Sequence, residues 1–267
     1  MLVDAGPYPF LSAGRRRRLE LLARIGRSYA IVVEPIRSGA IEVQFTRIAD
    51  PNLVLDQVAR EEDRREKVTG QRKREDELHL PYWAELWDSS LGMASFLVEQ
   101  WAGCGREESA VARIARRSMS SMQSASVMDL GCGMGLTGTI AARLGARVLF
   151  ADLETHPLLF AELNSLSNAS QCRMRKVNWQ SDRLHEGFDL ILGADIIYDR
   201  SQWEFLEPFL RAHLAPGGGI LLGEPGRSSG EEFEAWIVAR GWGMRRFTQG
   251  MADIDKPIRL LELERLP

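Results

Sequence analysis

Hydrophobic spacing along the chain changes several times, and each change predicts an element. LELLARI, after four consecutive arginines (Arg15 to Arg18), has the spacing of a short amphipathic helix. YAIVVEP and AIEVQFTRI are strand-like runs separated by Ile36-Arg37-Ser38-Gly39, which predicts a hairpin. Asp50-Pro51 has the form of an N-cap followed by a first helical residue. The helix it opens runs into REEDRREKVTGQRKREDE, a dense mixed-charge stretch expected to be solvated helix and linker. From Leu80 the pattern becomes an alternation of strands and helices. LPYWAELWDSS leads into the apolar run LGMASFLVEQW, and residues 102–126 form a polar, small-residue connection with room for a surface helix. Five strands are then expected at SVMDLG, ARVLFAD, CRMRKVNW, FDLILGAD and GGGILLGEP. Helices TGTIAARLG, HPLLFAELNSLSNA, SQWEFLEPFLRAHL and EEFEAWIVARGW follow the first, second, fourth and fifth of them. GMRRFTQG and PIRLLELERL close the chain as a strand pair. Such alternation predicts an α/β, doubly wound sheet over 80–267, preceded by an N-terminal α+β extension over 1–79.

Composition narrows the functional classes. The 267 residues are 45% hydrophobic and 27% charged, with a formal net charge of −3, so no global positive field invites nucleic acid. The arginine run is expected to be a solvated helical face, with an acidic partner surface or RNA as the alternative. Three cysteines (Cys104, Cys132, Cys172) form no C-x-x-C pair and suggest a reducing compartment. The four histidines (His79, His156, His185, His213) have no metal-ligand spacing, so no metal site is expected. No apolar run approaches the roughly 20 residues of a membrane span. The opening MLVDAGPYPFLSAG lacks a basic segment followed by an apolar core, so a cytoplasmic location is the default expectation.

The candidate chemistry starts at DLGCGMGLTG, residues 129–138. From Asp129 it reads D-x-G-x-G-x-G, a loop suited to the amino-acid end of S-adenosylmethionine. From Gly133 it reads G-x-G-x-x-G, the dinucleotide fingerprint. Asp152, about 20 residues further on at the end of the next strand, could accept from ribose hydroxyls in either register. Three features favour the earlier register. Asp129 is a carboxylate inside the strand end, where dinucleotide loops carry small or apolar residues. The terminal strand pair suits a sheet whose last strand inserts antiparallel. Nothing downstream resembles a hydride-transfer site. Gly138 is then expected to serve close packing of the helix on the sheet.

Together with LPYWAELWDSS, VNW, GADIIYD and GEPGR, this loop resembles the seven-strand methyltransferases that include protein-lysine methyltransferases. The likeness covers about residues 80–245 and is greatest to the subgroup that methylates the β subunit of electron-transfer flavoprotein. The chain departs from that subgroup at Asp88-Ser89, where the subgroup has Pro-Gly, and at Glu224, where it has a different acidic residue. Trp87-Asp88 resembles the sibling lysine methyltransferases instead. The resemblance implies a Rossmann-like seven-stranded sheet with its last strand antiparallel. It also implies S-adenosylmethionine as cofactor and a protein lysine as methyl acceptor.

Carried over by position, Trp87 borders the cofactor, Gly131, Gly133 and Gly135 line its methionine end, and Asp129 belongs to the same loop. Asp152 holds the ribose, Trp179 contacts adenine and Ala194 offers main-chain contact. Asp195 and Tyr198 stand at the catalytic edge. Glu224 and Arg227 are expected either to pair within their loop or to stand at the substrate mouth. The expected role of Asp195 is to capture and orient an ammonium, with water taking the proton. A small-molecule amine as acceptor, and a non-catalytic cofactor-binding module, remain as alternatives. A nucleic-acid base is disfavoured because ADIIY stands where base-amino enzymes carry Pro-Pro-Tyr/Phe.

Overall fold

A computed structural model describes residues 12–70, 80–103, 109–121, 123–251 and 254–266. The second half of the charged run (71–79, including His79) and Cys104 lie outside the described residues. The fold begins with helix α1 (Ala13–Ile25), capped by Ser12, whose hydroxyl accepts from the Arg15 N–H. The arginine run therefore lies inside the helix instead of preceding it. It is followed by strands β1 (Ile31–Ser38) and β2 (Ile41–Ile48), which pair antiparallel from Ile31↔Ile48 to Ser38↔Ile41. The hairpin turn is shorter than the sequence pattern suggests. Ile36 and Ser38 are buried ladder residues, and the turn is Gly39-Ala40 with Gly39 at φ 55°. Helix α2 (Pro51–Thr69) starts as expected, with Asp50 accepting from the Asn52 N–H, and ends at left-handed Gly70.

Seven strands form the main sheet: β3 (Ser126–Leu130), β4 (Arg147–Asp152), β5 (Cys172–Lys176), β6 (Phe188–Ala194), β7 (Leu214–Glu224), β8 (Trp242–Met251) and β9 (Ile254–Arg265). Their spatial order is β5-β4-β3-β6-β7-β9-β8. The first five in that order are parallel neighbours, and β9 enters antiparallel between β7 and β8. This is the Rossmann-like, doubly wound methyltransferase sheet, with its last strand reversed. The strand order switches direction between β3 and β6, which opens a crevice at their carboxyl ends.

Helices α3 (Asp88–Trp101), α4 (Ala110–Ser121), α5 (Leu136–Arg143), α6 (Thr155–Asn164), α7 (Trp203–His213) and α8 (Ser228–Val238) cover the sheet. One apolar cluster joins α3 to α6 with Leu21, Ile25, Phe45 and Ile48 of the N-terminal segment. The other packs Phe188, Trp203, Phe209, Phe233 and Trp242 on the opposite face. Helix α4 is more deeply seated than its polar sequence suggests. Ala110 is fully buried, and a Cβ on Gly219 of β7 would come within 2.5 Å of the Ala110 Cβ. Glu262, 1% exposed on β9, accepts from the Ala110 N–H at 2.6 Å, placing a carboxylate at the positive end of the helix. No described helix is long and apolar enough to cross a membrane.

Candidate active site

The glycine loop leaves β3 and enters α5 with Gly131, Gly133 and Gly135 all in left-handed conformations (φ 62°, 51° and 83°). Gly131 must lack a side chain for a second reason. A Cβ there would lie 2.7 Å from Ile196 Cγ2, on the side where the Trp179 ring edge approaches at 3.9 Å. The loop is tied to β4, because Cys132 N–H donates to the Ala151 carbonyl. Asp152 holds it from below: one carboxylate oxygen accepts from Gly133 N–H and the other from Glu154 N–H, both at 3.0 Å. Burial raises the Asp152 pKa to about 6 despite these donors.

Asp129 lies under the loop. Its carboxylate accepts from Gly138 N–H at 2.8 Å and is 2% exposed, and burial raises its pKa to about 8. Gly138 is the position where helix and sheet meet, since a Cβ would sit 2.4 Å from the Phe150 ring. The tryptophan whose backbone flanks Gly133 is Trp83, and its indole N–H donates to Glu154 at 3.1 Å. Trp179 donates its indole N–H to Gln202, at 3.3 Å.

The strand on the other side of the crevice supplies Ala194, Asp195 and Tyr198. Ala194 ends β6 in register with Gly223 of β7. Asp195 follows at φ 58°, a conformation that costs a non-glycine residue about 1–2 kcal/mol. Its N–H donates to the Gly223 carbonyl at 2.8 Å. Its Oδ1 is held in an ion pair with Arg227. Its Oδ2 is buried and makes no hydrogen bond of regular geometry among the described residues, the nearby donor being the Ser89 hydroxyl. That hydroxyl, at the start of α3, is itself fully buried and has Asp195 beside it. Burial lifts the Asp195 pKa above the usual carboxylate range, while Arg227 and the nearby Ser89 hydroxyl pull it back.

Close to this carboxylate is an aromatic rim, reached through Arg227 and Tyr198. Tyr198, 48% exposed, meets Tyr82 edge-on at 5.6 Å between ring centroids. Trp87 donates its indole N–H to the Tyr82 carbonyl, and Arg227 lies 5.3 Å from the Trp87 ring centroid. Tyr82 was not among the residues expected from sequence. Its signal was present in PYW, as an aromatic in a short turn that buries its neighbour Trp83 but leaves Tyr82 42% exposed. The Glu224–Arg227 side-chain pair is not formed. Glu224 accepts from the backbone N–H groups of Gly226 and Arg227 at 2.8 Å and pairs with Arg259, leaving the Arg227 guanidinium for Asp195. No described cluster of His, Cys, Asp or Glu could hold a metal.

The crevice thus combines a glycine-rich loop, the Asp152 carboxylate at the end of β4 and a buried carboxylate, Asp195, beside an aromatic rim. The family described as lysine methyltransferase matches residues 74–233. Protein N-lysine methyltransferase METTL21A of Xenopus tropicalis is 35% identical over 108 residues, covering 38% of this chain and 49% of that protein. The electron transfer flavoprotein beta subunit lysine methyltransferase of Danio rerio is 28% identical over 160 residues, covering 57% and 53%. The chain spans about half the length of these curated relatives. Magnesium protoporphyrin IX methyltransferase from Synechocystis PCC 6803 shares the fold, with a TM-score of 0.51 at 16% identity, covering 82% of this chain and 98% of that one. The chain belongs to the lysine methyltransferase family.

Proposed function

We propose that this protein transfers a methyl group from S-adenosylmethionine to the side-chain amine of a lysine in a protein. The observation that carries this reading is the buried Asp195 carboxylate at the end of β6, which is paired with Arg227 over the Trp87 ring and lies close to Tyr198, the neighbour of Tyr82. When bound, the cofactor supplies an electrophilic methyl group on a sulfonium. Gly131, Gly133 and Gly135 would admit its methionine end. Asp152, whose two oxygens each keep acceptor capacity beyond one backbone N–H, would take the ribose hydroxyls. Trp179 would offer a broad apolar face to adenine, with Ala194 and Trp87 completing the walls. Asp129, turned toward Gly138, would brace the loop from beneath rather than touch the cofactor.

Methyl transfer is an in-line displacement in which positioning matters more than acid–base assistance. The amine nitrogen forms its bond to carbon as the carbon–sulfur bond breaks, and the proton displaced from nitrogen leaves to water. A lysine must first be neutral, which at pH 7 costs about 4–5 kcal/mol from a reference pKa near 10.4. A turn of the Asp195 carboxylate, which is buried as it stands, would let it accept an N–H of the amine and so aim the lone pair, while the aromatic rim receives the aliphatic stem and limits water.

The test is transfer of radiolabelled methyl from S-adenosylmethionine into a cell lysate, resolved by gel and by solvent extraction. Label in a discrete protein band, acid-stable and recovered as methyl-lysine, is the expected result. Label in extractable small molecules would favour a free amine, and none would favour a binding module. In thermal shift, S-adenosylmethionine and its demethylated product should stabilise the protein, by about 2.7 kcal/mol at a hundredfold excess over Kd. Stabilisation by NAD alone would overturn the cofactor assignment.

A further inference from the structure

Asp195 poses a chemical difficulty for the reading just given. A lone buried carboxylate favours a lysine as ammonium, the form that cannot attack. The structure contains a feature that removes this difficulty. Asp195 already has a cation: Arg227 occupies Oδ1 and lies over the Trp87 ring. This arginine is built into its place. Its backbone N–H is bonded by Glu224, which is 2% exposed and in turn anchored by Arg259 at 2.9 Å. Arg227 also occupies the N-cap position of α8, where its carbonyl accepts from the Gly230 N–H at 3.1 Å.

We propose that Arg227 is the resident counter-cation of Asp195, cancelling the carboxylate's charge through Oδ1 so that the acceptor brought to this edge is held as a free amine rather than as an ammonium. Arg227 is thus a positioning residue that acts through Asp195. The inference rests on the methyltransferase reading and adds to it an account of how the acceptor becomes reactive. A guanidinium suits the task because it stays protonated at any working pH, so it cannot give up its own proton in exchange. Without it, the acceptor's own ammonium is the cation that the buried carboxylate would hold. The other titratable groups around Asp195 are Asp88 from α3, whose charge acts on it directly, and Tyr198, which feels the Asp195 charge and is itself faced by Tyr82 and Asp199. Arg227 is the cation among the groups that act on Asp195.

Two measurements test this, one of them without substrate. In protein labelled with carboxyl-13C aspartate, with Asp195 assigned by its loss in Asp195→Asn, the Asp195 titration should move up by about 1–2 pH units in Arg227→Gln. It should stay near the wild-type position in Arg227→Lys. In the labelling assay, the rising limb of the rate–pH profile should move about one unit higher in Arg227→Gln. That lowers transfer at pH 7.5 about tenfold, with recovery at higher pH. Arg227→Lys should remain within a few fold of wild type. Arg227→Met is the second charge-deleting variant, and retained cofactor thermal shifts identify the variants that are folded. An unmoved Asp195 titration, or an equal loss of rate at every pH, would overturn the proposal. Failure of the wild type itself to transfer label is instead failure of the methyltransferase reading.

Discussion

At the residue scale, the two carboxylates of the glycine loop make a pH prediction whose sign can be worked out. Asp129 titrates near 3.9 in an unfolded chain and at about 8 in the fold, where burial outweighs its bond from Gly138. The folded state therefore takes up a proton over this interval. The stability this group contributes is full below about pH 4 and declines as pH rises toward 8, by up to ~1.4 kcal/mol per unit. Asp152, at about 6, acts with the same sign over a narrower range. Replacing Asp129 by Asn keeps an oxygen for the Gly138 N–H and removes the titration. Urea denaturation at pH 5, 6 and 7 should show stability shifting in favour of Asp129→Asn with each step. A constant difference across the three would mean that Asp129 is already ionised in the fold at pH 5. The sequence disclosed that a buried carboxylate stood here and needed donors. It could not disclose that the α5 N-terminus was the donor, because that depends on helix α5 meeting β3 at Gly138.

At the element scale, the parts that sequence reveals well are those whose burial is periodic. The strands β3, β4 and β6 and the helices behind them follow from apolar runs bounded by glycine. The reversed β9 follows from alternation in IRLLELER, once a terminal strand pair is expected. What stays hidden is set by contacts between distant segments. Ser38 belongs to the β1 ladder because it packs inward, and α4 is buried because Ala110 is small enough to rest on Gly219. At the site, Arg227 and Tyr82 lie far apart in sequence and meet only through Trp87. Asn164, at the end of α6, is a similar case and joins three elements. Its side-chain oxygen accepts from Thr46 N–H at 2.7 Å, and its amide donates to the Thr46 and Met134 carbonyls at 2.9 and 3.0 Å. It thus ties the hairpin to the glycine loop. Asn164→Ala leaves these part-buried backbone groups without partners and should cost about 2–3 kcal/mol. Denaturant titration measures the loss, and hydrogen exchange should speed up in β2 well before the sheet core. Unchanged exchange at Thr46 would show that the side chain does not carry this junction.

At the scale of the whole molecule, the N-terminal segment is part of the packing behind the glycine loop rather than an ornament on it. The sequence divides naturally near residue 79, where the charged run gives way to alternating strands and helices. Physical contact does not divide there. Leu21, Ile25, Phe45 and Ile48 are at most 2% exposed and pack into the same cluster as α3, α5 and α6. Arg17 grips Glu162 of α6 through two bonds of 2.6 and 2.8 Å. Tyr29 packs edge-on against Trp83, the residue that flanks Gly133. At about 1.5–3 kcal/mol per buried aliphatic or aromatic side chain, those four residues alone are worth on the order of 10 kcal/mol of burial. That is comparable to the whole net stability of an ordinary domain, about 5–15 kcal/mol. A chain starting at Leu80 would therefore expose the backs of α5 and α6 and lose the wall behind Trp83. It should lack a cooperative thermal transition and near-ultraviolet dichroism, and S-adenosylmethionine should fail to stabilise it. Cofactor binding with native affinity by the 80–267 fragment would refute this. It would make the N-terminal segment free to serve acceptor recognition alone. If the fragment fails as expected, the segment shapes the glycine loop from behind, and any part it plays in choosing the acceptor is added to that task.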